Sequence, residues 1–448
     1  RFIMELEVFF AVTGVGHLDG RAEKNFNTRP TCILHNLNGV GTRPPSSLGL
    51  RGIAMVKLPN IDREVQACLQ CGYCIHVCET WKQTPWESVT PRGKVFYISQ
   101  LGKRTALDKL LGRKVEIDDE FVDALFMCTT CAACSTVCHV GIDFAEFWEK
   151  VREWCIENGH GPMPAHVKIR ERLEAGSNPY GEPRDKRGAW YPDVPKADNP
   201  DVVFFAGCTA SYRTQRLARD SVLFLNRCGV STNIMEGDEW CCTSPALRTG
   251  QTGLTYRFAE HNITTVEHMG AKAMVTACAG CYKTILHDFG KYYAHPTFEV
   301  LHFAQYANNL IKSRKVKFTK ELKAKVTYHD PCHLGRHAKV YDEPREVIKA
   351  IPGVEFVEMK NIRENSRCCG AGGGYKSQYN DMATAIGVER VKEAMETGAD
   401  ILATTCPFCV LNMQQAAKKI GAKIKVMDVS EMLAMVTEPE APAEPAKQ

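Results

Sequence analysis

"GAKAMVTACAGC", Gly270–Cys281, and "GADILATTCPFC", Gly398–Cys409, follow one pattern: a glycine, a short apolar run, and a C-x2-C whose first cysteine lies eight positions after the glycine. Each apolar run reads as a short buried strand placed directly before its cysteines. Gly270 and Gly398 suit the end of a preceding helix, where a left-handed residue closes the last turn. Upstream of each stands a second apolar run ending in cysteine: "DVVFFAGC" ends at Cys208, and "KVTYHDPC" at Cys332, 124 residues later. Helical periodicity fills the gaps. "RTQRLARDSVLFLNRCG" places Leu217, Phe224, Leu225 and Cys228 on one face, with Gly229 as a stop, and "DMATAIGVERVKEAMETG" repeats apolar residues at Ile386, Val391, Ala394 and Met395. Strands alternating with helices, twice over, predict two similar α/β units.

Around these units the chain has 448 residues, with 44% hydrophobic and 24% charged content, the balance of a globular protein of roughly two to four domains. The net charge of +4, from 56 basic and 52 acidic residues without a long basic run, gives no support for nucleic-acid binding. A long uncharged stretch, Ile401–Ala417, carries Pro407, Asn412, Gln414 and Gln415, and so makes a poor lipid-spanning segment. "RFIMELEVFFAVTG" carries Glu5 and Glu7 and lacks the basic region and clean apolar run of a secretion signal. The expected location is therefore cytoplasmic, with any membrane attachment, at its inner face, made through a partner subunit.

Cysteine is the outlier, at 21 residues. An odd count without a secretion signal argues against a disulfide framework and for metal or cluster ligands. Their placement divides the chain. Residues 1–55, with "NLNGVGTRPPSSLGLRG", show no sustained periodicity and read as a poorly ordered extension, with Met55 as a natural start. Residues 56–160 hold eight grouped cysteines among helix-friendly stretches such as "DDEFVDALFMC" and "DFAEFWEKVREWCIENG". Residues 161–200 read as a linker, its Pro-, Gly- and charge-rich "NPYGEPRDKRGAWYPDVPKADNP" lying over the surface. The first α/β unit then covers 201–315, the second 316–436, and a Pro/Ala/Glu-rich tail 437–448 is expected to be disordered.

In the helical region the spacing Cys68-x2-Cys71-x2-Cys74-x3-Cys78 recurs as Cys128-x2-Cys131-x2-Cys134-x3-Cys138. This is the spacing of bacterial two-cluster ferredoxins, in which the fourth cysteine serves the other cluster. The expected ligand sets for two cubane [4Fe–4S] clusters are therefore Cys68, Cys71, Cys74 and Cys138, and Cys128, Cys131, Cys134 and Cys78. Glu79 and His139 stand where proline often follows, and 49 residues separate the motifs, which suits a helical ferredoxin-like domain. A pair of zinc sites explains C-x2-C pairs but not this duplicated triple spacing.

Each α/β unit carries five further cysteines: Cys208, Cys241, Cys242, Cys278 and Cys281 in the first, and Cys332, Cys368, Cys369, Cys406 and Cys409 in the second. The adjacent pair is separated from the C-x2-C by 35 residues in one unit and 36 in the other. Five thiolates exceed what one zinc or one cubane requires, and adjacent cysteines hold their sulfurs close enough for one to bridge two irons. In "CCGAGGG", 368–374, the glycines beside the pair are expected to let the backbone pack against inorganic sulfur. The run does not match G-x-G-x-x-G, because Tyr375 takes the last position, so no nucleotide site is expected.

From about residue 60 to 435 the sequence resembles the cysteine-rich CCG family of the heterodisulfide reductases: a helical ferredoxin domain followed by two CCG domains, as in the membrane-linked catalytic subunit and the related iron–sulfur subunit of sulfate reducers' membrane complexes. The resemblance implies that each five-cysteine set holds a noncubane [4Fe–4S] cluster, with a substrate disulfide clamped between them, and makes the ten cysteines catalytic. In the first set Cys242 is followed by Thr243 rather than glycine, so that site is expected to differ in shape or potential. The implied partners are a membrane cytochrome b-type or quinone- or phenazine-linked subunit, or a flavin subunit. The alternative is an electron relay from a flavin-dependent glycolate, lactate or glycerol-3-phosphate dehydrogenase to quinone; two complete cysteine sets favour disulfide chemistry. His329 and His333 flank Cys332 as proton donors or as hydrogen-bond donors to sulfur. Arg248, Lys283 and Arg336 read as charges that offset the clusters or bind an acidic substrate. Cys155 and Cys228 read as buried structural thiols, and Cys32 lies in the extension.

Overall fold

The structure, a computed structural model, describes residues 59–101, 117–191 and 197–437. The first α/β unit has strands β1 (Val202–Phe204), β2 (Thr232–Ile234), β3 (Ala273–Thr276) and β4 (Glu299–His302). The second has β5 (Ala324–Tyr328), β6 (Val354–Phe356), β7 (Ile401–Thr404) and β8 (Lys425–Asp428). Both sheets are wholly parallel, in the orders β2-β1-β3-β4 and β6-β5-β7-β8. Buried β1, β3 and β7 are apolar almost throughout because helices cover both their faces. Gly270 and Gly398, at φ +65° and +70°, close helices Thr255–His268 and Asn380–Met395.

The predicted amphipathic helices form, with one difference. Gln215–Arg227 buries Leu217, Phe224 and Leu225, and Gly229 follows it at φ +75°. In Asn380–Met395, Ile386, Val391 and Ala394 are buried, but Met395, one position (about 100°) round the helix from buried Ala394, is 45% exposed. The two units do not have separate cores. Val202, Phe204 and Phe303 of the first join Val326, Val347 and Leu433 of the second in one buried cluster.

The helical region contains no strand among the described residues. Its main helix, Phe144–Glu157, starts where the Asp143 carboxylate accepts from the amides of Ala145 and Glu146, and buries Phe147, Trp148, Val151 and Trp154 against Val95, Ile98 and Leu125. The segment expected as a surface linker departs from that reading. It contains helix Pro164–Gly176, and Asn178, Arg187 and Trp190 are buried. Its polarity marks buried partners rather than solvent: Asn178 braces the turn through the carbonyls of Gly176 and Glu182, and Arg187 pairs with buried Glu239. The expectations for residues 1–55 lie outside the described residues, as do those for the tail beyond Thr437.

Candidate metal centres

In a strand order of 2-1-3-4, connections leave β1 and β3 toward opposite directions, and the carboxyl ends of these neighbours open a crevice. Cys208 follows β1 and Cys278 follows β3; Cys332 follows β5 and Cys406 follows β7. The adjacent pairs come from the loops after β2 and β6. Duplicated topology thus gathers ten cysteines at two crevices, and among them only Cys278 is less than fully buried.

In the first set, hydrogen bonds to Cys208 and Cys242, together with burial, push the Cys241 thiol well up. Hydrogen bonds from Cys241 and Cys281 hold Cys242 well below the ordinary thiol range. Arg187 Nη2 lies 3.4 Å from Cys208 Sγ, and the Glu239 carboxylate that pairs with it accepts the amides of Ala206 and Gly207 at 2.8 Å. At Gly207, φ +74°, a Cβ would stand 2.8 Å from Cys281 Sγ, so the close sulfur requires glycine. Thr243, the departure from the glycine pattern, nevertheless adopts φ +62°, the same left-handed conformation as Gly370 at φ +90°.

In the second set, Cys369 and Cys409 sulfurs are 3.3 Å apart, the amide of Gly370 points at Cys368 Sγ at 3.3 Å, and His333 Nδ1 lies 3.3 Å from Cys332 Sγ. Burial, with the charges of Arg248 and Lys283, pushes His333 down to about 4, so it is neutral near pH 7. The glycine run also makes a close approach within the protein. A Cβ at Gly372 or Gly373 would meet the carbonyls of Thr129 and Cys128 at 2.7 and 2.6 Å, and one at Gly374 would meet His166 and Thr249. Gly372 and Gly373 thus admit the backbone of the helical region, and Gly374 admits the side chains of His166 and Thr249.

In that region one cavity is walled by Cys68, Cys71, Cys74 and Cys138, and another by Cys78, Cys128, Cys131 and Cys134. The two wrapping loops share a backbone path that their side chains do not announce: φ is +55° and +50° at Gln70 and Thr130, then +83° and +61° at Gly72 and Ala132. Left-handed non-glycine residues cost about 1 kcal/mol or more each and persist where surroundings demand them. Beside the second cavity Lys94 is buried, its Nζ 3.4 Å from the Met127 carbonyl, and burial pushes its amine below the ordinary range against the opposing pull of the Cys128 and Cys78 sulfurs.

The four sulfur groups adjoin one another. A hydrogen bond to Cys368, then burial, pushes the Cys131 thiol up. Hydrogen bonds from Cys278 of the first unit and from Cys409 hold Cys406 well below the ordinary range. Buried cations surround them. Arg336 donates to the carbonyls of Cys131, Glu364 and Ser366, while Arg248 and Lys283 pair with Asp288. Lys283, Lys291, Arg336 and Lys339 share a cleft of about 690 Å³ with the carboxylates of Asp143, Glu146, Glu149, Asp288 and Glu364, between the helical region and both α/β units. The donor chemistry fits iron–sulfur clusters: soft thiols, mostly half-buried in the groups of four and buried in the groups of five, too many for single ions, with fixed positive charge nearby. Cys155 is a fully buried thiol apart from them, and Cys228 is half-buried against the core.

Sequence reading missed Arg152, Arg187, Glu239, Arg390 and Lys94, all buried at or near these groups. No spacing rule marks a lone arginine in a helix. The paired Cys-preceding positions of the repeat, Ala206–Gly207 against Asp330–Pro331, were the available hint that the two sites are braced differently.

Taken together, an eight-cysteine region whose described residues form helices without strands and two five-sulfur crevices define an iron–sulfur oxidoreductase. Residues 64–142 match the family model of a 4Fe-4S dicluster domain, and residues 202–285 and 326–414 match that of a cysteine-rich domain, CCG. The chain is 38% identical over 399 residues to a subunit of the dihydromethanophenazine:CoB–CoM heterodisulfide reductase of Methanosarcina barkeri, covering 87% of this chain and 97% of that one. It is 31% identical over 394 residues to a subunit of the fumarate reductase (CoM/CoB) of Methanothermobacter marburgensis, covering 86% and 75%. Among solved structures, a hypothetical protein from Helicobacter pylori matches with a TM-score of 0.55 at 11% identity, over 82% of this chain and 72% of that one, a likeness of fold. The chain belongs to the heterodisulfide reductase family of iron–sulfur proteins, in which a dicluster domain precedes two CCG domains.

Proposed function

We propose that the chain is the iron–sulfur catalytic subunit of a heterodisulfide-reductase-like complex that reduces a disulfide or thiol-linked sulfur substrate. Cys68, Cys71, Cys74 and Cys138 would hold one cubane [4Fe–4S] cluster and Cys78, Cys128, Cys131 and Cys134 the other. The five-cysteine sets ending at Cys281 and Cys409 would hold noncubane [4Fe–4S] clusters. Bound there, the clusters supply one-electron transfer and iron sites that can take a sulfur ligand. The observation that carries the reading is the adjacency of sulfurs: Cys131 with Cys368, and Cys278 with Cys406.

Opening a disulfide consumes two electrons and two protons and leaves two thiols. The chain's own residues prepare for that. Burial excludes water from the sulfurs of the two five-cysteine sets, of which Cys278 alone is partly exposed. The electron donor is assigned to a partner: a membrane cytochrome b-type, quinone- or phenazine-linked subunit, or one containing flavin. No helix among the described residues is long and apolar enough to cross a membrane, and attachment at the inner membrane face is assigned to that partner.

Anaerobically purified protein should contain about 16 irons per chain, four for each of four clusters. After oxidation, coenzyme M, coenzyme B or a small sulfur-carrier protein should raise a paramagnetic signal absent without thiol. About eight irons, or no thiol response together with tight co-purification of a flavin 2-hydroxyacid dehydrogenase, would overturn the proposal in favour of a relay to quinone.

A further inference from the structure

His329 closes β5 at the position that Phe205 holds beside β1, three residues before the first cysteine of each set. Its ring is buried, and one ring nitrogen lies within 4.8 Å of the sulfurs of both Cys369 and Cys409. Those three side chains together resemble a metal-binding triad. The neighbour on the other side of the ring decides how the imidazole behaves.

Arg390 Nε lies 3.1 Å from His329 Nδ1. A guanidinium only donates, so Nδ1 must present its lone pair; a proton there would oppose two donors at that distance. Arg390 cannot turn away, because its other nitrogens are held by the carbonyl of Asn361 at 2.9 Å, Glu393 Oε2 at 2.8 Å and Ser366 Oγ at 3.1 Å. With Nδ1 committed as an acceptor, the ring's proton sits on Nε2, an atom that is buried without a protein partner.

Building on the proposed function, we infer that His329 is a positioning residue, locked by Arg390 as the Nε2–H tautomer, that donates a hydrogen bond to sulfur of the cluster held by Cys369 and Cys409. It is therefore not an iron ligand through Nε2. A donor aimed at cluster sulfur stabilises the reduced, more negative state and raises the reduction potential. In the first unit Phe205 offers no donor, and Arg187 approaches Cys208 instead. The two five-sulfur sites are thus chemically distinct despite their common fold, and the second is supplied with a neutral donor where the first has a cation.

The test is a redox titration of anaerobic protein monitored by paramagnetic resonance. His329→Phe, which installs the residue of the first unit, is expected to keep the parent's iron content and to lower the potential of one cluster alone. His329→Gln, which retains an N–H, is expected to stay closer to the parent. Unchanged potentials in a fully loaded Phe variant would overturn the inference, as would loss of about four irons, the content of one [4Fe–4S] cluster. A second measurement compares the parent with the Phe variant: in protein labelled with ¹⁵N-histidine, the inference requires a weakly coupled nitrogen and an exchangeable proton at one cluster that are lost in the variant, while the His333 nitrogen 3.3 Å from Cys332 Sγ is common to both. Strong nitrogen coupling, the mark of direct ligation, or no coupling would overturn it. Failure of the functional reading itself is separable, since a deficit to about eight irons, two clusters' worth, appears in the parent before any substitution.

Discussion

Asp288 shows at the scale of one residue how the sulfur sites are electrically supported. It is buried between Arg248 and Lys283, whose Nζ lies 2.7 and 2.8 Å from its two oxygens. Burial alone would push the carboxyl up, but the guanidinium and ammonium beside it prevail and hold it below the usual carboxylate range. A carboxylate depressed in the folded state contributes stability above its unfolded value of about 3.9, and that contribution is lost as pH falls through the folded value. Asp288→Asn leaves Arg248 with Glu149 and replaces the two charged acceptors of the Lys283 amine by one neutral carbonyl oxygen and an NH2 donor. The expected cost is about 3–5 kcal/mol, the range for breaking a buried pair. Denaturant melts at pH 7 should show it, and the gap between parent and variant should shrink as pH falls below about 4. A variant melting with the parent at pH 7 would show that these cations are supported elsewhere.

Elements explain why the repeat was legible and its joints were not. Apolar runs before cysteines, closing glycines and amphipathic helices depend on neighbours within a few residues, so strands β1, β3, β5 and β7 and helix Gln215–Arg227 could be read directly. The exchange of Cys78 and Cys138 between cavities could be expected from motif spacing alone. Partners far apart in the chain carry no such mark. The last helix, Val429–Val436, belongs by sequence to the second unit yet packs on Gln215–Arg227 of the first, where Arg227 Nη1 donates to the carbonyl of Ala434 at 2.7 Å. Leu433 is fully buried in the shared core. Leu433→Ala should cost about 2–5 kcal/mol through lost burial and the cavity left behind. Because the core is continuous, hydrogen exchange should rise in β1 and β5 together; protection lost only in the second unit would show that the two units open independently.

Over the whole molecule, Arg152 joins all three parts. Its guanidinium is fully buried and donates to the carbonyls of Leu125 and Cys128 in the helical region, Arg248 in the first α/β unit and Gly373 in the second. The glycines at 372–374 allow the approach that Arg152 then fastens, since a Cβ at Gly373 would collide with Cys128 and Thr129. The placement of Cys131 beside Cys368 therefore depends on a close backbone joint a few residues from each cysteine, fastened by an arginine distant from both in sequence. Arg152→Met preserves much of the side-chain volume but leaves those buried carbonyls without their donor, at a cost of roughly 3 kcal/mol. The expected consequence is local before it is global. Exchange should rise first in residues 125–130 and 370–375, and reduction of the α/β-unit clusters by a one-electron donor should slow at unchanged iron content. If the variant instead loses stability evenly across the chain while electron delivery keeps its rate, Arg152 serves the core and the sulfur junction is held by Arg336 and the Glu79–Arg367 pair, whose Nη2–Oε2 distance is 2.9 Å.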